Sequence, residues 1–392
     1  MTNGEWKTVA LDEVATIERS AIQPEAISQG TAYLGLEHIE SGGKILGAKP
    51  VNEGELASSK FKFTERHVLY GKLRPYLAKI ACPDFTGICS TDILPILPGP
   101  NLERRFLCYF LRQPSMVDYA NSRAAGANLP RLSPSALAGF EIPLPPLAEQ
   151  RRIAEVLDRA EALRAQRRAA LAQLDSLTQS LFLDLFGDPA TNPKGWPCKP
   201  VGSLASKFSD GPFGSNLKSE HYTETGVRVI RLQNIGVGEF VDDDAAYISE
   251  HHFTKLKKHE CRPGDVLIGT MGDPNLRACI QPEWLTIALN KADCVLLRPD
   301  ESVANAMFIC ALLNQPATER MAQDLIHGQT RARISMGRLR GLEVPVPPIP
   351  LQREFARRVT AVEALKTAQR ASLAELDALF ATLQHRAFRG EL

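Results

Sequence analysis

Residues 132–153 read LSPSALAGFEIPLPPLAEQRRI, and residues 334–355 read ISMGRLRGLEVPVPPIPLQREF. A shift of 202 positions lays one on the other without a gap: Ser133 on Ser335, Leu137 on Leu339, Gly139 on Gly341, Glu141 on Glu343. Pro145-Pro146 falls on Pro347-Pro348, and Gln150-Arg151 on Gln352-Arg353. A fixed-period self-match of this length is the mark of a duplicated unit, and it decides the architecture before any single element is assigned.

Working outward, the match weakens and its offset drifts, as insertions in loops would produce. Trp6 answers Trp196, YLGLEHI (33–39) resembles VIRLQNI (229–235), and VLYG (68–71) resembles VLIG (266–269). Asp92 and Asp293 occupy similar contexts, and Leu111-Arg112-Gln113-Pro114 returns as Leu313-Asn314-Gln315-Pro316. Between these points, short β-branched and aromatic runs alternate with Gly and Pro: HVLYGKL (67–73), GICSTDILPIL (87–97), GVRVIRL (226–232) and ADCVLLRP (292–299). Such runs predict strands. ERRFLCYFLRQ (103–113) and SVANAMFICALLNQ (302–315) carry helical spacing instead. Each half is therefore expected to be a mixed α/β domain.

After each Pro-Pro the pattern changes to one long amphipathic helix, from about Ala148 to Phe186 and from about Leu351 to Phe388. Proline is tolerated at a helix start, and Gly187 and Gly390 supply stops. Apolar positions recur near every 3.5 residues: Ile153, Leu157, Ala160, Leu163, Ala170, Leu174, Leu177 and Leu181 in the first. The second gives Phe355, Val359, Val362, Leu365, Leu373, Leu376, Leu379 and Leu383. That period predicts a coiled coil. One slot in each helix is polar, Arg167 and Gln369, again 202 apart. In an antiparallel pair they would meet near the crossing centre and fix register; equally, both long side chains would reach outward to water. The expected division is a domain over 1–146, a helix over 147–187, a domain over 188–346 and a helix over 347–392.

With 46 basic and 45 acidic side chains, the formal net charge is +1, which disfavours an indiscriminate polyanion binder but allows local basic patches. The eight cysteines include no CxxC pair and no zinc-like Cys/His spacing, so they read as scattered buried thiols with no metal site. The first residues are polar and no run of ~18 apolar residues occurs, which points to a soluble, cytoplasmic chain with no membrane contact.

LPPLAEQRRI and VPPIPLQREF, taken with VLYGKLRPYLAKI (68–80) and DGPFGSNLK (210–218), resemble the specificity (S) subunit of type I restriction–modification systems. The resemblance covers essentially the whole chain. It implies two target recognition domains, each reading half of a split, asymmetric DNA site, and two helices packed antiparallel as a spacer. It further implies docking of two modification (methyltransferase) subunits, with restriction subunits joining to translocate and cleave DNA in phage defence. S-adenosylmethionine, ATP and magnesium would then sit in those partners. Consistently, the sequence has no [DNS]PP[YFW] methyltransferase tetrapeptide and no GxxxxGK[ST] phosphate loop, so no catalytic residue is expected in this chain. The alternatives are a specificity subunit of a fused, type II-like enzyme and, in another class, a coiled-coil scaffold that never touches DNA.

On this reading, phosphate contacts position a domain and base-edge contacts specify. GQTRARISMGRLR (328–340) carries four arginines and no acid, and its counterpart is GANLPRLSPSALAG (126–139). Arginine pairs bidentately with guanine, and Asn or Gln with adenine, so the candidates are Asn128 and Arg131, and Gln329, Thr330, Arg331 and Arg333. Arg131 and Arg333 are also candidate scaffold residues, since both copies have them. Lys72, Arg74 and Tyr76 form either a phosphate clamp or a solvated turn. In GPFGSNLK, glycines permit close backbone approach while Ser215, Asn216 and Lys218 supply donors. HHFTKLKKHE (251–260), preceded by three aspartates, reads as a solvated charge cluster.

Overall fold

The computed structural model describes residues 6–52, 54–328 and 332–392. The chain divides into two compact units, Met1–Arg168 with Ala371–Leu392, and Ala169–Arg370. Four helices organise them: α1 (Arg104–Leu111), α2 (Leu147–Phe186), α3 (Ala306–Leu313) and α4 (Ile349–Ala387). Each long helix is thus shared between the units, which part at the middle of both. At 1.5 Å per residue, the 40 residues of α2 span about 60 Å.

In the first unit, a four-stranded sheet runs in the order 15–17, 93–98, 68–71, 80–81. A five-stranded sheet beside it contains the parallel pairing of Tyr33–Leu34 with Ile88–Cys89. Lys7–Ala10 closes antiparallel on Glu141–Leu144, bringing the start of the chain to the end of the domain. The second unit repeats all three features. Its four-stranded sheet runs 205–209, 294–299, 266–269, 277–280, and Arg228–Ile230 lies parallel to Ala288–Asn290. Cys198–Pro200 closes on Glu343–Pro345. The copies differ at sheet edges: Ala21–Ile22 adds to one side of the first five-stranded sheet, and Tyr222–Thr223 to the opposite side of the second.

The duplicated Gln explains why each long helix starts where it does. Gln150 is fully buried; its Oε1 accepts from Glu103 N (2.8 Å), and its Nε2 donates to Pro145 O (2.8 Å) and Asn101 O (3.0 Å). Gln352 repeats this with Asn305 N (2.9 Å), Pro347 O (2.7 Å) and Val303 O (3.2 Å). One amide thus joins the Pro-Pro turn to the start of the domain helix, α1 in one unit and α3 in the other. Gly187, at φ 81°, ends α2 with its N–H on Leu183 O (2.9 Å), a left-handed stop open to glycine.

Cores form where the helix halves meet the domains. In the first unit Phe106, Leu107 and Phe110 of α1 pack with Ile153, Leu157 and Phe388. In the second, Phe308 packs with Phe182, Phe186 and Phe355. Within each unit the helix halves run antiparallel. Arg164 Nε bonds Asp377 (2.6 Å) and its guanidinium lies 4.4 Å from the Phe380 ring, while Ile153 shares a core with Ala387. In the other unit Lys366 pairs with Asp175 (3.2 Å) and Phe355 lies against Phe186.

The seam differs from the expected one. Leu163, Leu177, Leu365 and Leu379 are exposed, and Arg164, Thr178, Lys366 and Phe380 face inward in their place. The step after Ala160, and after Val362, is four residues, which keeps a strict heptad; following leucines instead of the period shifts the reading by one. Arg167 and Gln369 are half-buried on their helices. Six cysteines are buried, but Cys82 is half-buried and Cys198 is exposed on an edge strand; all are free. Among the described residues, no helix is long and apolar enough to cross a membrane.

Candidate nucleic-acid interface

In the first unit, strand 68–71 runs into the turn Lys72–Tyr76, and main-chain bonds stitch that turn to the loop 125–132. Arg74 N donates to Pro130 O (2.7 Å), Leu132 N to Lys72 O (2.9 Å), and Leu73 bridges Arg131. Lys72 N donates in turn to Asp92 O (2.9 Å). Lys72, Arg74, Tyr76, Asn128 and Arg131, chosen separately from sequence, therefore share one edge. Arg74, Tyr76, Asn128 and Arg131 are exposed there. The Asp92 carboxylate lies 3.3 Å from Arg131 Nε and 3.9 Å from Lys72 Nζ.

The second unit builds the same edge with other residues. Ile334 N donates to Thr270 O (2.9 Å), Met271 bridges Arg333, and Thr270 N donates to Asp293 O (3.1 Å). Arg333 Nη1 lies 3.2 Å from Asp293 Oδ1, as Arg131 does from Asp92. The pair Asp–Arg is therefore common to both copies, and it fastens one loop to the next. Gln329, Thr330 and Arg331 lie outside the described residues.

Ser215, Asn216 and Lys218 lie exposed on a third loop. Its Gly211 packs so closely on Asn290 and Lys291 that a Cβ would fall 2.1 Å from the Lys291 carbonyl carbon. This loop therefore meets the turn that carries Asp293. Asn216 Nδ2 bonds Phe213 O (3.2 Å), and Lys218 lies 3.6 Å from Glu220, so both are partly engaged within their own loop.

Sequence reading passed over two clamps. Arg277 donates to four carbonyls: Ile235 (2.7 Å), Leu232 (2.9 Å), Met271 (2.9 Å) and Pro274 (3.0 Å). It ties the 271–274 turn to the segment behind it. Lys79 does the same in the first unit with one bond, Nζ to Leu36 O at 2.6 Å. The signal for them is a basic residue at matching places in LAKIA (77–81) and NLRAC (275–279), but a lone basic residue in an apolar strand has no motif. His259, buried with Nδ1 2.7 Å from Asp210 O, belongs to the stretch read as a solvated charge cluster; burial lowers its pKa below the ordinary histidine value. That stretch is a correction in part, since Leu256, His259 and Glu260 are buried within it. Among the described residues, no group of His, Cys, Asp and Glu side chains is arranged to hold a metal ion.

Fold and edge together define a duplicated, mixed α/β chain whose two domains present equivalent loop pairs and end in long helices. Residues 3–173 match the family described as "Type I restriction modification DNA specificity domain". The chain is 28% identical over 234 residues to the type I restriction enzyme EcoDI specificity subunit of Escherichia coli, a match covering 58% of this chain and 52% of that one. It is 24% identical over 318 residues to the EcoBI specificity subunit of the same organism, covering 74% and 66%. The matches thus span about half to two thirds of these relatives. The type I restriction–modification S subunit from M. genitalium shares the fold, with a TM-score of 0.57 at 18% identity over 99% of this chain and 97% of that one. A chain from a structure of type I R-M complex assembly gives 0.65 at 23% identity, over 99% and 98%. The chain thus resembles type I restriction–modification specificity subunits, with the family's DNA specificity domain matched over residues 3–173.

Proposed function

We propose that this chain reads a two-part DNA sequence, one part per unit, and directs adenine methyltransferase subunits to it without carrying out chemistry itself. One observation carries the reading: both units build the same loop-pair edge with the same Asp–Arg tie, yet fill its exposed positions differently. A common scaffold with different exposed side chains suits two readers of different half-sites. The family supports DNA as the ligand, and double-stranded DNA offers the base edges that Arg and Asn side chains recognise.

The helices supply the docking surface in this proposal. Leu163 and Leu379 are exposed in the first unit, and Leu177 and Leu365 in the second, each flanking its seam one residue before an inward position. Singly exposed leucines are ordinary; four at positions matched by the repeat suit two copies of one partner, a modification subunit on each side. S-adenosylmethionine, and ATP with magnesium for any restriction subunit, would be held by those partners in the cytoplasm.

Mapping methylated adenines across the host genome, with and without this gene, tests the reading. The expected result is loss of one motif made of two short sequences separated by an unspecified spacer. An uninterrupted motif, or none lost, overturns it. The purified chain should neither methylate nor cleave DNA; methyl transfer by the chain alone would also overturn it.

A further inference from the structure

Arg74 and Gly272 hold the same place in the two units. Each lies three residues beyond a matching strand, VLYG or VLIG, and each follows the residue that bridges the tied arginine, Leu73 to Arg131 and Met271 to Arg333. Both are left-handed, Arg74 at φ 51° and ψ 65°, Gly272 at φ 115°. Glycine adopts that conformation freely, whereas a residue with a Cβ is strained in it. The second unit uses the residue the backbone favours; the first keeps an arginine against that preference.

The side chain does no visible work for the fold. The bond that holds Arg74 to the next loop is its main-chain N–H on Pro130 O (2.7 Å), which glycine would also make. Lys72 and Arg131 beside it share the Asp92 carboxylate, but among the described residues the Arg74 guanidinium has no hydrogen-bond or ion-pair partner. It is exposed at the apex of the edge, two residues from Tyr76, which is itself 49% exposed. Five N–H donors in a planar fork, held up on a fixed turn and not neutralised, match the O6 and N7 acceptors of guanine in the major groove.

We infer that Arg74 is a specificity-determining residue of the first unit, reading a guanine through its guanidinium, and that the second unit has no reader at this place. This rests on the DNA-reading function proposed above.

Arg74→Gly tests it, because it installs the residue that the other copy uses at the matching position, where φ is also positive. The full-length chain, assembled with the modification subunit that supports methylation in its host, is used to select sites from a randomised duplex library. Thermal unfolding is measured alongside. Arg74→Gly should leave Tm unchanged within about 2 °C or raise it, while discrimination at one guanine of the first half-site falls roughly ten- to hundredfold. The second half-site should be selected as before. Arg74→Lys, which keeps the charge but not the fork, should lose that discrimination while retaining more affinity for all sequences. Equal loss on every sequence, rescued by Arg74→Lys, would make Arg74 a phosphate contact and overturn the inference. So would unchanged selection by Arg74→Gly, or a fall in Tm that carries both half-sites down together. If the wild-type chain selects no sequence at all, it is the DNA-reading function that fails instead.

Discussion

Gln150 and Gln352 each satisfy three main-chain groups that would otherwise be left without partners at a buried joint. An unmet buried donor or acceptor costs about 1–3 kcal/mol, so replacing either glutamine by leucine should destabilise its own unit by roughly 2–5 kcal/mol. Urea unfolding checks this, and a loss under 1 kcal/mol for both would show that water or rearrangement replaces the amide. The Asp–Arg ties behave otherwise. Arg131 and Arg333 are half exposed, and an ion pair there adds only about 0–1 kcal/mol. Arg131→Gln should therefore barely change stability, and should weaken DNA binding alike on all sequences, since the tie is common to both copies. A loss confined to one base position would make Arg131 a reader. His259 gives a pH signature: its folded pKa lies below the ordinary 6.5 because burial disfavours the cation. Both states are neutral well above that value, so nothing is gained or lost there. Below it the unfolded chain takes a proton that the fold resists, and stability falls as pH drops from about 7 toward 5. His259→Gln should flatten that part of the urea midpoint against pH; an unchanged slope would assign it to other groups.

At the scale of elements, the long helices were the most legible part of the sequence, because a break at Pro-Pro and a sustained period need no tertiary information. Their boundaries match the observed Leu147–Phe186 and Ile349–Ala387 to within two residues. The seam was less legible, because its inward positions include Arg164 and Lys366, whose charges meet Asp377 and Asp175. A hydrophobic pattern cannot mark a charged residue as inward, and the neighbouring leucines drew the reading one position aside. The candidate edge is legible where both copies agree, as at the Asp–Arg ties of Arg131 and Arg333. It is hidden where the geometry rests on long-range contacts, as with Arg277, whose four carbonyl partners come from separate segments. The misplaced leucines also make a prediction. Leu163→Glu with Leu379→Glu removes two exposed side chains, so Tm should change by less than about 2 °C. Affinity for the modification subunit, measured by calorimetry, should fall at least tenfold if these leucines line its docking surface. Unchanged affinity would place docking elsewhere.

For the whole molecule, the boundary between units falls at Arg168/Ala169 and Arg370/Ala371, beside Arg167 and Gln369. Seven residues inserted there in both helices would lengthen only the helical connection, leaving the interior of each unit as it is. One heptad keeps the apolar seam in phase, so the helices should still associate. The insertion adds roughly 10 Å at 1.5 Å per residue, or about three base pairs at ~3.4 Å each. Three base pairs also rotate one half-site by roughly 100° relative to the other, since DNA turns once in ~10–10.5 base pairs. The added heptad contributes little compensating twist, because a two-stranded supercoil turns once only in ~140–210 Å. Length and rotation therefore pull apart, and two-sided binding should either move to a longer spacer or weaken sharply. The half-site sequences themselves should not change, because each edge is built within one unit. Selection from a duplex library with randomised spacer lengths, using the complex with its modification subunits, reads both effects at once. Full affinity at the original spacing would mean that something other than these helices sets the distance between the two readers.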